Sequence, residues 1–259
     1  MKIIIVTVLH LLILLTISQS KKLKALCLHG YLSCGKFMKV QLNQLLKETD
    51  HIVDYCFPDA PHTLSFKKDA TITSLKSVDK CRWWHGAAEA TGEEDEYRYD
   101  GIDVSLRFLI QLEKTQGPFD IIIGHSQGAC LALTLDALST KPDLVQLILG
   151  NNNNDDDDNN KLPNTMTTIL MSGFIPRDRL FNNIFQNIEL KSNSLHLFSP
   201  EDDVVPPEAS VEILSLYRFP TMKMTVGGHD PPRDENDIDF IAKYITNCYK
   251  NKYERENII

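Results

Sequence analysis

The stretch Gly124-His125-Ser126-Gln127-Gly128 limits the fold of this chain more than any other. It fits Gly-x-Ser-x-Gly, in which a strand ends and a helix begins within one strained turn. The flanks agree with that reading. Residues 119–123 carry three consecutive isoleucines, as a strand buried on both faces of a parallel sheet would. The run from Ala129 to Leu138 is apolar, rich in small residues and favourable to a helix packed closely on that strand. Glycine is required on either side of Ser126 because the helix passes too near the strand for side chains. Gly117-Pro118, just before, reads as a turn.

The rest of the chain alternates in the same way. Strands are predicted at Leu23–Leu28, 51–57, Thr167–Met171, 194–198 and 221–226. Helices are predicted at 36–47, 102–112 and 238–249, with Asp100 or Asp103 as the N-cap of the second. The 58–62 loop has two prolines, and residues 62–98 read as irregular and polar. Alternating strands and helices imply an α/β fold: a mainly parallel central sheet flanked by helices in three αβα layers. One domain over residues 21–250 accommodates all of these elements, with a tail at 251–259. The Asn/Asp tract 151–160 cannot bury apolar surface and reads as a disordered surface insertion. Nothing fixes the geometry of its aspartates, so it is not read as a metal site. The acidic run 93–96 reads as a solvated loop.

The formal net charge of −8 is opposite in sign to that of a nucleic-acid binder. Residues 1–20 differ from the rest. Lys2 precedes an apolar run, and Ser18-Gln19-Ser20 ends it with small residues. This is the pattern of a secretory signal peptide, too short for a comfortable membrane span, and no stable span is expected after cleavage. Secretion is the compartment it predicts. The six cysteines are scattered, with no Cys-x-x-Cys pair, and do not imply disulfides in a chain of 259 residues. No Asn-x-Ser/Thr acceptor occurs.

A serine nucleophile needs a base, and the base needs an orienting acid. In folds with this turn they follow the serine in the order acid, then histidine. His229 is the late histidine with suitable surroundings, after a strand and two glycines. The acid falls in the loop after the 194–198 strand, at Asp202 or Asp203, with Glu201 a weaker third. Spacing alone does not choose. The oxyanion would be held by the Gln127 N–H and by that of Tyr31 or Leu32, in the loop after the first strand. Loss of one such donor costs roughly 3 kcal/mol of transition-state stabilisation. Trp83 and Trp84 either line a substrate pocket or anchor their loop. No metal or organic cofactor is implied.

Several stretches together resemble the FSH family of serine hydrolases: residues 26–31, Pro58-Asp59-Ala60-Pro61-His62, Trp83-Trp84, Gly117-Pro118-Phe119-Asp120, the Gly124–Gly128 turn with Ala129, Ser172-Gly173-Phe174 and Gly227-Gly228-His229. They run from about residue 23 to 245. The resemblance implies an α/β-hydrolase fold. It also selects the acid, because the family motif sets the Asp four residues before a Val/Ile-Pro proline. Counting back from Pro206 gives Asp202, and hence a triad of Ser126, Asp202 and His229. It implies carboxylesterase activity on small-molecule esters with medium- to long-chain acyl or alkyl groups, with Trp83 and Trp84 helping to bind the chain. An acyl thioesterase with the same triad is the alternative. An inactive binding module is a third reading, against which the complete set of residues speaks. Two features depart from the family: His125 stands where Phe is usual, and family members look intracellular, which makes cytoplasm and nucleus the alternative compartment. Pocket shape, and with it the substrate, would be set in the 62–98 region.

Overall fold

A computed structural model of the chain describes residues 21–64, 80–88, 97–149, 162–163, 165–178, 181, 184–186 and 188–253. The leader 1–20, the acidic run 93–96, the tract 151–160 and most of the 251–259 tail lie outside the described residues.

Six strands form one sheet: β1 (Leu23–Leu28), β2 (Val53–Cys56), β7 (Ile121–His125), β8 (Thr167–Met171), β9 (Asn193–Phe198) and β10 (Pro220–Met224). Their order is β10-β9-β8-β7-β1-β2, and every neighbouring pair is parallel. The period-2 alternation of strand side chains divides the interior into two cores. Leu23, Ala25 and Cys27 of β1 enter one; Leu26 and Leu28 enter the other. The three isoleucines of β7 divide likewise, Ile121 and Ile123 to the first core and Ile122 to the second. A run apolar at every position is what a strand covered on both faces demands.

Helices α1 (Gly35–Gln41), α2 (Asn43–Thr49) and α7 (Glu235–Tyr253) supply Met38, Leu45 and Ile241 to the first core. Helices α3 (Ile102–Gln116), α4 (Gln127–Ser139), α5 (Pro142–Leu149) and α6 (Pro207–Leu214) cover the second, with Leu109, Leu135, Val145 and Ile213. Each such side chain contributes roughly 1.5–3 kcal/mol when fully buried. Helix α4 is buried from Gln127 through Leu138, which explains why its sequence lacks a polar face.

Three details differ from the sequence reading. The 36–47 helix is two helices, broken at Leu42 (φ −87°, ψ 8°), and Met38, Leu42 and Leu45 are all buried. Helix α3 starts at Gly101 in the left-handed region rather than at an aspartate cap. The 62–98 region is not wholly irregular. It holds two short antiparallel pairs, β3 (His62–Leu64) with β4 (Lys80–Arg82) and β5 (His85–Ala88) with β6 (Tyr97–Asp100). The six cysteines form no disulfide. Among the described residues no helix is long and apolar enough to cross a membrane.

Candidate active site

The C-terminal ends of the strands meet at one edge of the sheet, where ligands bind in open parallel folds. Ser126 stands there, between β7 and α4, with φ 54°. A non-glycine residue in that region is strained, and such strain concentrates at functional sites. The turn is held by main-chain bonds: Ser126 N–H donates to Met171 O at 2.9 Å, and Ser126 O accepts from Ala129 and Cys130. The flanking glycines are forced by space. A Cβ on Gly124 would lie 2.4 Å from Gly128 O, and one on Gly128 would lie 2.0 Å from Leu28 O.

On one side of Ser126 is the loop after β1. A Cβ on Gly30 would come 3.5 Å from Ser126 Cβ, so bare backbone passes the serine. The chain turns at Leu32, whose φ is 55°. Buried side chains hold this loop from beneath. His29 Nε2 accepts from Ala60 N–H at 3.0 Å, so its Nδ1–H donates to Gly30 O at 2.8 Å. Burial lowers the pKa of His29 and keeps it in that neutral form. Trp83 Nε1–H donates to His29 O at 2.8 Å. Gln127 then clamps the tryptophan pair: its Oε1 accepts from Trp83 N–H at 2.9 Å and its Nε2 donates to Trp84 O at 3.1 Å. As the first residue of α4, Gln127 also presents an N–H that has no partner within the helix.

On the other side are the loops after β9 and β10. His229 Nδ1 lies 3.0 and 2.9 Å from the two oxygens of Asp202. Asp202 Oδ1 also accepts from Val204 N–H at 2.9 Å and Val205 N–H at 2.8 Å. Burial alone would raise its pKa. The Val205 N–H, His229, the Ser172 hydroxyl and the Val204 N–H outweigh that and hold the carboxyl below its ordinary range. Asp203 and Glu201 are exposed, whereas Asp202 is buried. The loop thus turns only one of the three acids inward, and it is the one the resemblance implied.

Between the two sides opens a cavity of about 370 Å³, lined by Tyr31, Trp84, Gly86, Tyr99, Ser126, Gln127, Phe174, Arg177, Val204, Val205, Pro206 and Ala209. Its walls are mainly apolar and aromatic, as in most small-molecule sites. Arg177 is the one charged side chain among these residues. Trp84 stacks on Tyr99 with centroids 4.6 Å apart. Tyr99 is fixed in turn, its Oη accepting from Arg177 N–H at 2.9 Å and its N–H donating to Asp178 at 2.5 Å.

Of the residues singled out in the sequence, Ser126, Gln127, Tyr31 and Trp84 line this cavity, and Asp202 and His229 bond each other beside it. Trp83 corrects the expectation of a substrate-binding pair. It is wholly buried, outside the cavity lining, and anchors the Gly30 loop. The sequence reading missed the roles of His29, the Gln127 side chain, Ser172 and Tyr99. His29, Gln127 and Ser172 each lie within a stretch that carries the family resemblance, which was the sequence signal for them; Tyr99 had none.

The family model described as "Serine hydrolase (FSH1)" matches residues 18–241. The chain is 26% identical over 215 residues to Esterase GA18864 of Drosophila pseudoobscura pseudoobscura, a match covering 81% of this chain and 66% of that protein. To Esterase OVCA2 of Homo sapiens it is 26% identical over 226 residues, covering 83% of this chain and 92% of the other. Among solved structures, Zea mays acyl-protein thioesterase 2 matches 90% of this chain and 96% of its own, with TM-score 0.59 and 17% identity. That likeness is one of fold, the α/β-hydrolase arrangement.

Proposed function

The chain belongs to the FSH1 family of serine hydrolases, and from that membership we propose a carboxylesterase that cleaves medium- to long-chain esters through an acyl-enzyme on Ser126. The observation that carries the reading is the Asp202 carboxylate closed on His229 Nδ1 beside the strained Ser126 turn. A carboxylate can only accept, so His229 carries its proton on Nδ1 and keeps a lone pair on Nε2. That nitrogen takes the Ser126 proton as Oγ attacks the acyl carbonyl. Asp202 holds the tautomer and stabilises the imidazolium that forms. The N–H groups of Gln127 and of Tyr31 or Leu32 receive the oxyanion. Protonation of the leaving alkoxide by His229 gives the acyl-enzyme, and water activated by the same nitrogen releases the acid. The apolar cavity with Trp84, Tyr99 and Phe174 supports a hydrocarbon chain as the bound group.

Labelling with a fluorophosphonate probe tests the nucleophile. Wild-type protein should label and Ser126→Ala should not; labelling that persists in the variant would falsify the assignment. Turnover of matched oxygen and thioesters across chain lengths then separates a carboxylesterase from an acyl thioesterase with the same residues.

A further inference from the structure

One side chain at the site has no part in the hydrolysis scheme. His125 precedes Ser126 and is buried, 8% exposed. Its Nε2 lies 2.7 Å from the main-chain oxygen of His229. A carbonyl oxygen only accepts, so the His125 proton is on Nε2. Its Nδ1 faces the other wall, where a Cβ on Gly30 would come within 3.0 Å. The His125 and His229 rings are 5.0 Å apart at 47°. Burial, with a smaller opposing contribution from its bond to His229 O, pushes the His125 pKa down to about 4, so the neutral ring persists at neutral pH.

The segment that carries His229 needs such a tie. Gly227 and Gly228 have φ values of 104° and 69°, and no helix or strand includes residues 225–234. Glycine in that region gives the chain freedom that must be restrained elsewhere. Main-chain bonds of ordinary length tie only its two ends, Thr225 N–H to Phe198 O at 2.9 Å and Ile238 N–H to Asp234 O at 3.0 Å; nearer His229 the other bonds are long, Gly228 N–H to Ser199 Oγ at 3.3 Å and Val226 N–H to Asp237 at 3.4 Å.

We propose that His125 is a positioning residue: its Nε2–H holds the main chain of His229 and so fixes the reach of the imidazole to Ser126. The inference rests on His229 being the base. It ties the base to the nucleophile's own turn through one hydrogen bond, so that the two move as a unit.

The test is steady-state kinetics on p-nitrophenyl butyrate with His125→Phe, His125→Gln and His229→Ala. Phe keeps a ring of similar size and removes the donor; Gln keeps an N–H at similar reach. His125→Phe should lose roughly tenfold in kcat, the worth of one hydrogen bond, with KM within about twofold. His125→Gln should recover most of that loss. A His125→Phe kcat within about twofold of wild type would overturn the proposal, as would a Gln variant as impaired as Phe, since packing would then be the cause. His229→Ala separates the two readings: if it is inactive while His125→Phe is normal, only the positioning role falls. Full activity of His229→Ala would remove both. A measurement on the unaltered protein guards against misfolded variants: ¹⁵N spectra of the imidazoles should show His125 protonated on Nε2, and an Nδ1–H tautomer would overturn the assignment.

Discussion

The two walls beside Ser126 are built by different means. The Gly30 wall is held by side chains from far along the chain: Ala60 meets His29 across 31 residues, Trp83 across 54, and Gln127 reaches Trp83 across 44. Its supports are buried, and Trp83 is wholly so. The His229 wall is held by a few polar bonds instead. Asp202 is fixed by N–H groups two and three residues ahead of it, and His229 hangs on two glycines with positive φ. The His229 side chain is 21% exposed. The first wall is a shelf of main chain whose integrity is a matter of core packing. The second is a light segment whose integrity is a matter of a few polar bonds. Damage to the first should appear in stability as well as turnover, and damage to the second mainly in turnover.

The largest effect should come from the light wall. Asp202→Asn should lower kcat by as much as about 10⁴-fold, because the amide no longer enforces the Nδ1–H tautomer of His229. Asp203→Asn, on an exposed residue, should change kcat by less than about twofold. Equal losses in the two variants would undo the choice of acid. Next comes the shelf. Trp83→Ala should cost about 3–5 kcal/mol of stability, read from denaturant midpoints, since it removes a buried indole and leaves His29 O without its donor. Trp84→Ala should instead raise KM, because Trp84 faces the cavity. If the two variants behaved alike, the division between anchor and lining would fail.

The legibility of the two walls in the sequence follows the same division. The Ser126 turn, the strand before it, the largely apolar helix after it and the glycines before His229 are local patterns, and each is where the sequence places it. The sheet order was not readable, but its parallel character was, from the three isoleucines of β7 and from the alternation of strands and helices along the chain. The choice between Asp202 and Asp203 could not come from spacing. It depends on a turn in which Asp202 bonds the N–H groups of Val204 and Val205 and faces inward, a conformation that adjacent aspartates offer equally. Trp83 and Trp84 were indistinguishable for a related reason: they are adjacent in the bend between β4 and β5, and the sequence does not say which of the two turns into the core and which toward the cavity. The Gln127 clamp is invisible to any local pattern, as its partners are more than 40 residues away.

Acid should separate the two walls further. Burial lowers the pKa values of His125 and of His196, a buried residue of β9, to about 4, below the ordinary histidine value near 6.5. The unfolded chain binds these protons first, so stability should fall as pH drops from about 6.5 to about 4, by up to roughly 3 kcal/mol for each group. Asp202 works in a lower window. Its depressed pKa contributes stability that is present above the ordinary carboxylate value near 3.9 and is lost as pH falls through the folded value. Denaturant midpoints at pH 7 and pH 4.5 should therefore differ less in His125→Phe than in wild type, while Asp202→Asn should leave that difference unchanged. A His125→Phe protein that is as acid-sensitive as wild type would place the titration elsewhere.

The smallest effect expected on turnover is also the one that joins the walls to Ser126. Gln127→Met keeps the length of the side chain and removes both polar ends. The buried Trp83 N–H and Trp84 O each lose a partner, and an unsatisfied buried group costs about 1–3 kcal/mol. Part of that cost falls on stability. The rest should appear in kcat, because the Trp83 indole that holds the Gly30 loop is now free to shift against the oxyanion. The His229 wall shares no bond with the Gln127 side chain, so a double variant with His125→Phe should show losses that add. Non-additive losses in kcat would mean that the two walls are coupled through Ser126, and that the shelf and the light segment are one unit in the transition state.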